Sequence, residues 1–386
     1  MSKSRESNEA VYPTHDDVWR NSSWRSRLRR GLLNWFEHNA RDLPWRRQPT
    51  PYRVWVSEIM LQQTQVATVI PYYQRFLKSF PTFEALAAAD EQTLLNHWEG
   101  LGYYRRARSM HAAAKQIADQ YGGQFPLSFE DALALPGIGR YTAGAVLSIS
   151  HDMRLPIVEG NTQRVFSRWI ALRGPTSDSS ASKLLWQVAA TMLPRKNPGS
   201  FNQAAMELGA LVCSPKQPDC EHCPVAGMCR ARIAGLQAEI PGKVSRVAYE
   251  GRTEFAMVVS ARRGKQQQLQ YLLRPLPEGG RWAGLWDFPR TTETSLDSPA
   301  AAAAQLSDRL GVNISPGLRL ITIRHSVTKY RISLHVHAAE INDPERVPGR
   351  PWRYKSIDEM SQLPMSVTGR KIAEMLTEDR QTRLPL

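Results

Sequence analysis

Glu58 lies within Val54-Trp55-Val56-Ser57-Glu58-Ile59-Met60-Leu61, an apolar run that leaves a carboxylate little access to water. Such an acid either caps a helix or pairs with a buried arginine, or it keeps its proton, because desolvation raises a carboxyl pKa. A raised pKa is what a general acid needs near neutral pH. The polar stretch Gln62 to Gln65 that follows has side chains that both donate and accept, suited to probing an opened duplex. A second acid, Glu159, opens Val158-Glu159-Gly160-Asn161.

Between these acids comes Leu135-Pro136-Gly137-Ile138-Gly139-Arg140-Tyr141-Thr142-Ala143, flanked by apolar helical patterns. Read alone, it is either a helix-hairpin-helix or an ordinary interhelical turn. In the first reading Gly137 and Gly139 permit a tight turn and leave N–H groups bare at the start of the second helix, where partial positive charge holds a phosphate.

All four cysteines, Cys213, Cys220, Cys223 and Cys229, fall within 17 positions, separated by six, two and five residues. Zinc sites commonly use two Cys-x-x-Cys knuckles far apart, whereas four unevenly spaced thiolates on one loop suit a compact iron-sulfur cube. A zinc knuckle and structural thiols are the alternatives. Pro215, Pro218 and Pro224 stiffen the loop, and Lys216, His222, Arg230 and Arg232 make its surroundings positive, as a structural, phosphate-gripping loop requires.

The elements that must position these groups follow from hydrophobic period. Residues 1–22 are polar and aperiodic, so a mobile tail is expected, with order beginning near Trp24. From 23 to 234 apolar residues recur at three- and four-residue steps, as in Leu28, Leu32, Trp35, Phe36 and in Val66, Val69, Ile70, Tyr73, Phe76, which predicts a helical domain punctuated by Pro71, Pro81 and Pro136-Gly137. Residues 235–251, with Pro241-Gly242, read as a linker. Over 252–380 the pattern changes: Phe255 to Val259 and Tyr271 to Leu273 are β-rich, and Ile332, Leu334 and Val336 alternate with polar residues at a period of two, which predicts strands, with helices at about 299–310 and 366–377. The chain is thus expected to be mainly α, with a smaller α+β domain at its end.

Its 386 residues exceed one typical core. Fifty Lys and Arg against 36 Asp and Glu give +14, which draws the chain toward polyanions without separating DNA from RNA or an anionic membrane surface. There is no apolar run of membrane-spanning length and no signal pattern at the start, so a soluble, cytoplasmic protein with reduced cysteines is expected.

Together these segments resemble the helix-hairpin-helix DNA glycosylases that carry a cysteine-bound 4Fe-4S cluster, and among them the MutY-type adenine glycosylases. The likeness rests on RDLPWR at 41–46, SEIMLQQTQV at 57–66, GLGYYRRAR at 100–108, LPGIGRYTAGA at 135–145 and the cysteine spacing; GGRWAGLWDFP at 279–289 is similar to the start of the family's Nudix-like recognition domain. The resemblance implies a monomer acting on double-stranded DNA, on adenine opposite 8-oxoguanine or guanine, leaving an abasic site. It implies that Glu58 protonates the purine, that Glu159 faces the sugar cation, that Tyr141 and Asn161 line the pocket and that Arg46 lies beside the acid. Gln63 and Tyr103 match residues that fill or wedge the duplex while the base is flipped, Gly137 and Gly139 hold phosphate, and the four cysteines ligate the cluster. Strand-cutting relatives carry Lys where Tyr141 stands; Tyr cannot form a Schiff base, so a monofunctional enzyme is implied.

This sequence departs from the pattern twice. Glu159 replaces an Asp, and the extra methylene moves the carboxylate on a scale where about 1 Å can cost on the order of 100-fold in rate. The loop that reads 8-oxoguanine, Phe-Ser-His in the family, falls on Val327-Thr328-Lys329, where only Thr328 preserves a hydroxyl. The Ala-rich helix Ala300 to Leu310 lacks the acids of a magnesium-binding Nudix box, with only Asp308 as an acid, so this domain should recognise rather than hydrolyse. A same-fold glycosylase for thymine or oxidised pyrimidines, and a catalytically weak mismatch-binding protein, are the competing readings.

Overall fold

The computed structural model describes residues 15–242, 249–263, 265–280, 282–291, 296–327, 329–342 and 348–382. Thr328 therefore lies outside the described residues. The chain resolves into two compact units, one of residues 15–88 with 109–242 and the other of 89–108 with 249–382. The helical stretch 23–234 is thus not one contiguous unit, as its uniform helical period had implied: residues 89–108 belong with the C-terminal sheet.

The helices run in order α1 Ser22–Asn39, α2 Pro44–Arg47, α3 Pro51–Leu61, α4 Val66–Ser79, α5 Phe83–Ala88, α6 Glu91–Trp98, α7 Arg105–Tyr121, α8 Phe129–Ala134, α9 Arg140–His151, α10 Gly160–Trp169, α11 Ser179–Met192, α12 Pro198–Leu211 and α13 Arg230–Ile233. Order begins earlier than the polar composition suggests. Asp17–Arg20 form a 3-10 turn whose N-cap Asp16 accepts from the Val18 N–H, and Trp19 is buried in the core formed by α1, α10, α11 and α12. One large aromatic outweighs the polarity around it. Ile240, within the expected linker, packs into the same core. Pro71 sits inside α4 rather than at its end. Its missing N–H costs one helical bond, while Val69, Tyr73 and Phe76 keep the apolar face buried.

In the second unit the described strands are β1 Glu250–Arg263, β2 Gln268–Pro275, β3 Trp286–Asp287, β4 Ile314–Val327, β5 Tyr330–Ile341 and β6 Arg353–Lys355, with α14 Pro299–Leu310, α15 Ile357–Ser361 and α16 Val367–Thr382. Sheet order is β3-β2-β1-β5-β4, with β6 on β2; β1 and β5 run parallel and the other pairs antiparallel. Ala256 and Val258 face a core with Ile372 and Leu376 of α16, while Phe255, Met257 and Val259 face Ala302, Leu306 and Leu310 of α14. Both faces of β1 are covered, which is why it reads as an unbroken apolar run rather than an alternating one. His337 of β5 is buried beside Phe255, with Nδ1 3.1 Å from the Gly317 carbonyl.

Candidate active site and cysteine cradle

α3 starts cleanly: Pro51 occupies the first turn and Thr50 accepts from the Arg53 N–H. The helix is buried from Val54 to Met60, and this places Glu58 inside the first unit at 4% exposure. The α8–α9 hairpin supplies the opposite wall. Gly137 takes φ +74°, and a Cβ there would come within 2.5 Å of the Ser109 Cβ, so only glycine fits the turn. Gly139 precedes α9, whose first N–H groups receive no side-chain cap and remain available to an anion. In the first turn of that helix, the Tyr141 hydroxyl donates to Oε2 of Glu58.

These groups line one cavity of about 680 Å³, together with Arg46, Gln63, Glu159 and Asn161. Of the residues expected at the site, those in the first unit are therefore brought together. Tyr103 lies in the second unit, 62% exposed, while its neighbour Tyr104 is buried. Gln63 and Tyr103 both have positive φ, 57° and 49°. A non-glycine residue in the left-handed region is held there by its surroundings, a feature concentrated at functional loops.

Burial pushes the Glu58 carboxyl up to about 7; the Tyr141 hydrogen bond and Arg46 pull it down, and the charge of Glu159 pushes it further up. Glu159 caps α10. Its oxygens accept from the N–H groups of Asn161 and Thr162, each at 2.8 Å, while the Thr162 hydroxyl accepts from the Glu159 N–H at 2.8 Å. Burial raises the Glu159 carboxyl, against the pull of those N–H groups and of Arg164. The longer side chain thus folds back onto its own helix start.

Two parts of the site escaped the sequence reading. Glu207, 1% exposed on α12, accepts from Arg41 at 2.7 and 2.8 Å and from Arg46 at 3.0 Å. Burial alone would raise this carboxyl, but the hydrogen bonds from Arg41 and Arg46 outweigh it and hold it at about 2. A lone acid among Ala204, Ala205 and Leu208 is the same signal that singled out Glu58. The second is Arg168, 2% exposed on α10, which donates to Cys213 Sγ at 3.2 Å and to the Ser214 and Ile240 carbonyls at 2.8 Å. Of the surface cations expected around the cysteines, Arg230 pairs with Asp16 at 2.7 Å instead.

All four cysteines border one small cavity with Arg168 and Arg232. Among the described residues no three His, Cys, Asp or Glu side chains converge closely enough for a single metal ion. Burial pushes the Cys223 thiol up to about 12 and the Cys229 thiol to about 11. Four thiols around a common space, with a buried guanidinium on one sulfur, form a donor set that fits an anionic iron-sulfur cluster.

The fold is that of a helix-hairpin-helix domain with a C-terminal Nudix-like domain. The family described as HhH-GPD superfamily base excision DNA repair protein matches residues 56–190, and the NUDIX domain family matches 258–375. A rat adenine DNA glycosylase is 38% identical over 69% of this chain and 60% of its own length; that of Buchnera aphidicola from Schizaphis graminum is 38% identical over 67% and 73%. A solved thermostable thymine-DNA glycosylase superposes at TM-score 0.51 with 26% identity, over 55% of this chain and 98% of that one. The chain belongs to the adenine DNA glycosylase family.

Proposed function

We propose that the protein hydrolyses the N-glycosidic bond of adenine mispaired with 8-oxoguanine or guanine in duplex DNA, without cutting the strand. The observation that carries this reading is Glu58, a carboxyl raised to about 7 in a cavity it shares with Glu159. Adenine is a poor leaving group and the sugar left behind develops positive charge. Glu58 carries its proton in about half of the molecules at neutral pH and gives it to the purine. Glu159, whose oxygens face two N–H groups at a helix start, is the better placed of the two to remain an anion and shield the cation. Tyr141 orients the Glu58 carboxyl and offers no amine for a Schiff base. Arg46, fixed by Glu207, lends positive charge to the same wall.

Cys213, Cys220, Cys223 and Cys229 would hold a 4Fe-4S cluster, which when bound ties the loop after α12 into a fixed shape. The protein acts as a monomer, and Val327-Thr328-Lys329 makes the opposite-base preference weaker than in relatives with the aromatic and imidazole.

Single-turnover release of adenine from duplexes pairing it with 8-oxoguanine or guanine tests the proposal, with Glu58→Gln as the inactive control. Tight binding without release, unchanged by Glu58→Gln, would establish a mismatch binder instead, the reading favoured by the capping role of Glu159. Release of thymine from a T:G pair, and none of adenine, would point to the thymine-specific alternative.

A further inference from the structure

Residues 89–108 and the C-terminal sheet form one unit, and Tyr103 is the exposed tip of that segment. Just before it, at the C-cap of α6, Glu99 takes Nε and Nη2 of Arg370 on its two oxygens at 2.6 and 3.0 Å. The Met365 N–H donates to the same carboxylate at 3.1 Å, and Arg370 also donates to the Met360 and Leu363 carbonyls at 2.9 and 2.7 Å. Both side chains are about a fifth exposed, 18% for Glu99 and 23% for Arg370. A bidentate, largely sheltered pair with further hydrogen bonds to both partners fixes direction as well as distance.

Beyond Glu99 the backbone makes a tight excursion. Gly100, Gly102 and Tyr103 have φ of 96°, 69° and 49°. Leu101 and Tyr104 turn inward, and the Tyr104 hydroxyl donates to the Met365 carbonyl at 3.4 Å. Further on, Arg108 donates to the Ala283 carbonyl. Arg106 closes the loop from within, donating to the Leu101 and Gly102 carbonyls at 3.1 and 3.2 Å. The Tyr103 loop is therefore pinned on both flanks by residues from the C-terminal part of the chain, and the tyrosine ring projects. A left-handed non-glycine residue persists only where such surroundings over-determine it.

We propose that the Glu99–Arg370 ion pair is a positioning device for Tyr103, so that the C-terminal part of the chain sets the reach of the side chain that wedges the mispair. This rests on the glycosylase reading above, in which Tyr103 opens the stack. Glu99 and Arg370 are positioning residues: they touch neither base nor sugar. Lesion reading and duplex opening then share one rigid support.

The test is a double-mutant cycle on the full chain, read by single-turnover adenine release over a range of enzyme concentrations in excess of DNA and by fluorescence of 2-aminopurine placed beside the mispair. Arg370→Met should lower apparent affinity and unstacking by about tenfold with a much smaller change in the rate at saturating enzyme, and Tyr103→Ala, which removes the wedge itself, should lower affinity and unstacking at least as far. In the Tyr103→Ala background Arg370→Met should add almost nothing, because both act through one ring. Arg370→Lys should restore part of the loss. Losses that multiply, or a fall in the saturating rate equal to the fall in affinity, would overturn the proposal. Should Arg370→Met not fold, Glu99→Gln enters the same cycle with the same expected outcome. Wild-type protein that releases no adenine would instead refute the underlying activity, a result separable from failure of the coupling.

Discussion

The hydroxyl of Tyr141 donates to Oε2 of Glu58, joining the hairpin's second helix to the helix that carries the acid. A hydrogen bond to a carboxylate favours its charged form, so this contact opposes the burial that raises Glu58 to about 7. The reaction needs Glu58 protonated. Adenine release should therefore fall by about tenfold per unit above pH 7, and fall again toward acid pH as Glu159, whose carboxyl burial raises, takes up a proton. Tyr141→Phe removes the opposing contact and should move the alkaline limb to higher pH. A limb that stays in place, or moves down, would show that Glu58 is not the group that titrates.

Glu159 combines a cap with a charge, and the two can be separated. Glu159→Ala should cost about 1 kcal/mol of stability from the lost cap and should also abolish turnover. Glu159→Gln retains an acceptor for the helix start, so melting should change little while the rate falls on the order of 100-fold or more. Glu159→Asp keeps the cap and shortens the arm; a faster enzyme is expected. An unchanged rate would mean that the longer acid already stands where the sugar cation needs it.

Much of this site was legible because burial of a charge is a local signal. Glu58 among Val, Trp, Ile and Met announced itself, and the cysteine spacing did the same. Glu207 offered an equal signal on α12 but no motif drew the eye to it. What sequence period could not reveal was partnership across distance: Arg370 meets Glu99 from 271 positions away, so residues 89–108 join the C-terminal sheet although their pattern is helical throughout. β4 was equally hidden. It is an edge strand with register shifts between Pro316 and Ile321, and Leu318, Leu320 and Ile321 are all exposed, which erases the alternation that marks a half-buried strand.

Removing the Glu207 charge should be costly. Glu207→Gln leaves Arg41 and Arg46 without their shared partner, and breaking a buried pair from one side costs about 3–5 kcal/mol. The acid form behaves alike. Because Glu207 is depressed from 4.5 to about 2, its contribution is present above pH 4.5 and is lost as pH falls toward 2. Denaturant midpoints at pH 7, 4 and 3 should show wild type converging on Glu207→Gln. Parallel curves would contradict the pairing.

Cys223→Ser should strip iron from the protein. Burial pushes this thiol up to about 12, and a bound iron would favour its thiolate. Purified wild type should contain about four irons per chain with visible cluster absorbance. The serine variant should lose both, along with duplex binding, because the loop after α12 would lose its shape. Full iron content in Cys223→Ser would exclude the residue as a ligand.

The β4–β5 connection sets the last expectation. Val327 pairs with Tyr330 at the end of the hairpin, and Lys329 beside it reaches Glu250 at 2.9 Å across exposed surface. Such a lysine brings charge but no planar ring, and Val327 has no face on which a base can stack. Stacking on an aromatic is worth about 1–3 kcal/mol per base. Replacing the three residues together, V327F with T328S and K329H, should therefore raise the ratio of single-turnover rates for adenine opposite 8-oxoguanine over guanine by roughly tenfold or more. The rate opposite guanine should hold steady, since Glu58 and Glu159 are untouched. If both rates rise equally, the tip contributes affinity for duplex DNA without reading the opposite base.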